Sequence, residues 1–77
     1  MPHISVKLYP GHSEQKKAQL AEQIAKDVVS ILGSREEAIS VAIEEIKPED
    51  WAEQVYKPDI LDNPKTLYKQ PGYNPFT

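Results

Sequence analysis

The chain has 77 residues, a net charge of −3 and no cysteine. The missing thiols exclude a disulfide scaffold and a thiolate metal site, and the mixed charge offers no concentrated positive footprint for nucleic acid. No apolar run approaches the roughly 18 residues of a membrane span, and no basic stretch leads into an apolar one at the start, so the expected compartment is the cytoplasm.

Met1 precedes Pro2, and a small residue in second place favours removal of the methionine. With Met1 attached, the Pro2 nitrogen is a tertiary amide without basicity. With Met1 removed, it is a free secondary amine that can take up a proton near neutral pH. Residues 3–9 then alternate: Ile4, Val6 and Leu8 on one side, His3, Ser5, Lys7 and Tyr9 on the other. Period two with branched residues predicts a strand, and Pro10-Gly11 ends it. Neither His3 nor His12 has the spacing of a zinc pair.

Ser13 is placed to cap a helix starting at Glu14. Leu20, Ile24, Val28 and Ile31 recur at helical spacing, flanked by Ala21, Ala25 and Leu32, which predicts a long amphipathic helix. Gly33 stands at its C-terminal cap. A polar connection, 34–38, leads to a second predicted strand, 39–46, with Ile39, Val41 and Ile43 on the core side and Ser40, Ala42 and Glu44 facing away. Pro48 stops it. A short helical segment is expected at 50–56, and the proline-rich tail holds a short helix near 59–61 or 65–68.

Strand, helix and strand make a β-α-β unit. About 18 helical residues rise roughly 27 Å, close to the roughly 25 Å of such a strand, so the helix carries the chain back and the strands run parallel through a right-handed crossover. A lone two-stranded parallel sheet leaves one face open. The expected fold is α/β: one β-α-β unit completed by homodimerisation into a four-stranded sheet with two helices, plus an extended C-terminal tail. Larger rings of dimers are the alternative. Residues 1–77 are read as one domain, core 2–57 and extension 58–77.

At this point the chain resembles the 4-oxalocrotonate tautomerase family over about residues 2–57. The resemblance rests on Pro2 opening strand one, the turn Pro10-Gly11-His12-Ser13, the helix start Ser13-Glu14-Gln15-Lys16, and the strand end Ile43-Glu44-Glu45-Ile46. Trp51 and Lys69-Gln70-Pro71-Gly72-Tyr73 resemble the dimeric bacterial branch that acts on phenylenolpyruvate-like enols. The resemblance implies Pro2 as catalytic base, no cofactor or metal, and a small enol or 2-oxo acid as substrate. Members acting on dicarboxylates carry arginines where this chain has His12 and Ser40, and their active-site aromatic corresponds to Trp51. Arginine grips a carboxylate with a planar fork. Serine has no charge, and histidine has one only when protonated.

The expected reaction is a proton shuttle: Pro2 takes a proton from an enol hydroxyl or from carbon beside a carbonyl and returns it elsewhere on the conjugated system. Substrate-binding candidates are His12, Ser40 and Trp51, with Ser40, His12 or backbone N–H groups as donors to the developing enolate. Tyr9, Tyr56, Tyr68, Tyr73 and Phe76 read as packing or tail contacts, and Lys7 and Lys47 as surface charges. Two other readings remain at this stage: a non-catalytic assembly module, and a hydratase or dehalogenase of the same superfamily drawing on Glu44 or Glu45.

Overall fold

In the computed structural model, which describes residues 1–77, two six-residue strands pair in parallel: β1, His3–Leu8, and β2, Ser40–Glu45. The register sets His3 opposite Ser40, Ile4 opposite Val41, Val6 opposite Ile43 and Lys7 opposite Glu44. Ile4, Val6, Val41 and Ile43 are half-buried, whereas His3, Ser5, Ser40, Ala42 and Glu44 are exposed. The alternation therefore divides the sheet into an apolar and a polar face, as expected. Both strands are shorter than expected. The paired register ends at Leu8 opposite Glu45, and Ile39 closes a 3₁₀ turn, Glu36–Ala38, instead of opening β2.

The long helix α1 spans Glu14–Leu32 and packs on β2. Its start follows from the Ser13 side chain, whose Oγ accepts the Lys16 N–H at 3.1 Å, which satisfies one of the free amides of the first turn. Its end follows from Gly33, whose positive φ of 72° turns the chain while its N–H reaches the Val29 carbonyl at 3.0 Å. The Lys17 ammonium pairs with Glu14 in the same turn and with Glu45 at 3.2 Å, which ties α1 to the end of β2.

The chain divides into two compact units, residues 1–45 and 46–77. The first contains the sheet and α1, and none of its residues is buried. In the second, α2, Pro48–Trp51, begins with proline at its first position, where the missing N–H costs nothing. It continues as a wider π-helix, Ala52–Leu61, which contains Pro58. Proline crowds the carbonyl four residues back in an α-helix, and the wider winding relieves that contact. The Asp62 N–H accordingly reaches the Lys57 carbonyl, five residues back, at 2.9 Å. The helical segment thus runs well past the expected 50–56. A 3₁₀ turn follows at Pro64–Thr66. The buried residues Ile46, Val55 and Tyr56 all belong to this second unit. No helix is long and apolar enough to cross a membrane.

Candidate active site

Pro2 enters β1 as a half-buried residue behind a fully exposed Met1. Its carbonyl accepts the Ser40 N–H at 3.2 Å. The Ser40 Oγ lies 2.6 Å from Nδ1 of His3. Pro2, His3 and Ser40 therefore form one corner of the sheet, at the N-terminal end of both strands. Ser40 is held there on two sides, by its amide and by its hydroxyl. Sequence reasoning brought Pro2 and Ser40 forward but passed over His3. The missing signal is the register: with strands parallel and Pro2 bonded to Ser40, His3 falls opposite Ser40 on the polar face.

His12 lies beyond the other end of β1, and six strand residues rise about 20 Å. It is exposed and lines a cavity of about 220 Å³ with Leu8, Lys16, Lys17 and Leu20. Within a single chain, then, His12 does not join Pro2 and Ser40. Trp51 lies in the second unit, half-buried at the end of α2, with its indole Nε1–H donating to the Tyr73 hydroxyl at 2.8 Å. A larger hollow of about 470 Å³, lined by Glu22, Ala25, Lys26, Val29, Ser30 and Glu36, includes none of the four candidates. It is a groove on α1, built around apolar surface and without the Pro2 corner.

The charges near the strands narrow the chemistry. The chain has a single arginine, Arg35, and its guanidinium donates to Glu37 at 2.9 Å. Glu45 is engaged by Lys17, whose ammonium is held above the usual lysine range chiefly by its hydrogen bond to Glu14, with Glu45 adding to the effect against partial desolvation. Glu44 is exposed, opposite Lys7. Neither glutamate stands out as a water-activating base.

The family model described as "Tautomerase enzyme" matches residues 2–56. The chain belongs to the 4-oxalocrotonate tautomerase family. It is 44% identical over 75 residues to Tautomerase PptA of Pectobacterium atrosepticum, covering 96% of this chain and 99% of that protein. Tautomerase PptA of Pectobacterium carotovorum is 43% identical with the same coverage. Among solved structures, TomN, a 4-oxalocrotonate tautomerase homologue in the tomaymycin biosynthetic pathway, superposes with a TM-score of 0.63 at 40% identity, covering 65% of this chain and 77% of TomN. As a tautomerase, the protein is an enzyme that interconverts the enol and keto forms of a small 2-oxo acid. Its tail is matched along with the rest in the PptA relatives, whereas TomN covers a smaller share of the chain.

Proposed function

We propose that this tautomerase works through Pro2 as general base and acid, on a small monocarboxylic 2-oxo acid such as phenylenolpyruvate, once Met1 has been removed. The observation that carries this reading is the Pro2 corner. A proline at the head of β1, where the tautomerase match begins, is bonded through its carbonyl to Ser40, which the resemblance sets where dicarboxylate-acting members carry an arginine. Exposed secondary amines are more basic than the roughly 7.7–8.0 of an ordinary α-amino group. A half-buried setting disfavours the ammonium and moves the nitrogen toward neutrality. The free base then takes the enol proton and redelivers it to carbon, and no other reactant is required.

The absence of a guanidinium at positions 12 and 40 favours one carboxylate over two. The one arginine is occupied by Glu37, and neither Ser40 nor His12 provides a planar fork. Homodimerisation supplies what one chain lacks. Residues 1–45 bury nothing fully, and α1 leaves Leu20, Val29, Ile31 and Leu32 exposed, a surface that a second copy would cover. The same second copy could contribute its His12 to the Pro2 corner, and Trp51 would serve as an aromatic wall. The test is an enol–keto assay on protein whose intact mass shows Met1 to be absent. Pro2→Ala in such protein should lower kcat/KM by about 10²–10⁴-fold and leave the assembly unchanged. Undiminished turnover would reject Pro2 as the base.

A further inference from the structure

We propose that His3 is a positioning residue of this enzyme, acting through Ser40 to present a hydroxyl proton to the carboxylate of the 2-oxo acid. The inference deepens the proposed function and rests on Ser40 being a substrate contact. The two side chains are adjacent by register, His3 opposite Ser40, and the Nδ1 to Oγ distance of 2.6 Å is short for a hydrogen bond. Both lie on the exposed polar face of the sheet, beside the backbone bond that joins Ser40 to Pro2. A ligand anchored at Ser40 is therefore held at the end of the sheet where Pro2 stands, one backbone hydrogen bond away.

The direction of the His3–Ser40 bond decides what Ser40 can do. A serine hydroxyl has one proton and two lone pairs. If unprotonated Nδ1 takes that proton, Ser40 turns only lone pairs outward and repels a carboxylate. If Nδ1 carries hydrogen and donates to Oγ, the hydroxyl proton is free to point at an anionic oxygen. The imidazolium form does the same and adds positive charge. In a chain whose only arginine is occupied by Glu37, the His3–Ser40 couple supplies an oriented donor in place of a fixed cation. The other ionisable groups of this sheet face are Lys7 on β1 and Glu44 on β2, opposite one another and four residues along from the couple, about 13 Å away.

The test uses benzoylformate, a 2-oxo acid with no hydrogen on the carbon beside its ketone. It cannot tautomerise, so its affinity reports anchoring independently of Pro2, while turnover of Pro2→Ala reports the base by itself. His3→Ala should weaken benzoylformate binding about five- to tenfold, the size of one ordinary hydrogen bond. His3→Asn, whose amide N–H can stand near the Nδ1 position, should bring affinity back to within about twofold of the parent. Ser40→Ala, which removes the donor itself, should weaken binding at least as much as His3→Ala, and the double variant should be no weaker than Ser40→Ala. With an enolisable substrate, His3→Ala should raise KM more than it lowers kcat. Unchanged affinity in His3→Ala, losses that multiply in the double variant, or no saturable binding by the parent protein would overturn the inference. If His3→Ala fails to fold, the parent, His3→Asn and Ser40→Ala decide it: affinity loss in Ser40→Ala with retention in His3→Asn supports the couple, and any other pattern rejects it.

Discussion

The indole N–H of Trp51 donates to the hydroxyl of Tyr73 at 2.8 Å, which joins α2 to the C-terminal tail. The Tyr73 carbonyl also accepts the hydroxyl of buried Tyr56 at 3.2 Å, with the two rings 5.5 Å apart and Phe76 tilted against Tyr56 at 6.0 Å. In a regular α-helix, residues five apart point about 140° away from each other. The π-helical winding that starts at Ala52 brings Trp51 and Tyr56 close enough to share one tail residue. Tyr73→Phe keeps the ring packing and removes the acceptor for the indole. The expected stability loss is about 0.5–1 kcal/mol, because Trp51 is only half-buried and water can replace the bond. With Trp51 as the proposed aromatic wall, KM should rise while kcat changes little, and tryptophan emission should shift. Emission and KM identical to the parent would remove the tail from any role in orienting Trp51.

The ends of α1 make a separate prediction. Ser13→Ala deletes the acceptor for the Lys16 N–H and should cost about 1 kcal/mol. Gly33 has room for a methyl group, since nothing lies within 4 Å of an added Cβ, but its φ of +72° is unfavourable for other residues. Gly33→Ala should therefore cost about 1 kcal/mol through backbone conformation alone. Urea unfolding of the two variants and their combination measures both effects. The helix ends are far apart, so the losses should add.

α1 was legible because its signals are local: a capping serine, an apolar repeat and a glycine with positive φ all lie within 21 residues of sequence. The sheet faces were legible for the same reason, since period two assigns each side chain to a side. Pairing is not local. Alternation places His3 and Ser40 each on a polar face without revealing that they meet, and only the register does so. The second unit was least legible. Pro58 opposes a regular α-helix, yet the helix passes it in a wider form while Tyr73 and Phe76, well along the tail, pack against Tyr56. Pro2 and Ser40, both proposed as site residues from the sequence, are found bonded through their backbones, while the distance from Pro2 to His12 follows from the turn lying at the far end of the same strand.

Stability at alkaline pH should reveal the tie between α1 and β2. Lys17 is held above the ordinary lysine value of 10.5, first by Glu14 and then by Glu45. A lysine raised in the folded state contributes stability that is complete below the unfolded value and disappears as pH climbs through the folded one. Lys57 is raised in the same direction by Asp62 in the second unit, so it adds to the same alkaline limb. Lys17→Met should flatten the fall in thermal midpoint between about pH 9 and 12 without changing its acid side through lysine, and Lys57→Met serves as the parallel control. An undiminished alkaline fall in the double variant would show that neither ion pair contributes to stability.

The exposed end of α1 bears on assembly. Ile31 is 77% exposed and Leu32 68% exposed, and with Ile24, Val28 and Asp27 they line a shallow cavity of about 260 Å³. Burying such side chains removes apolar area from water at about 25 cal/mol per Å², and placing a charge in that contact carries a desolvation cost of several kcal/mol. Ile31→Lys combined with Leu32→Lys should therefore convert the proposed dimer to a slower-sedimenting monomer at micromolar concentration, and lower activity with it if the second copy completes the site. Both positions lie in the last turn of α1, which closes through the backbone bond from the Gly33 N–H to the Val29 carbonyl, and lysine is a good helix former, so helix content should persist. Sedimentation identical to the parent would show that this face lies in solvent, and the covering surface would then have to be sought on the polar side of the sheet.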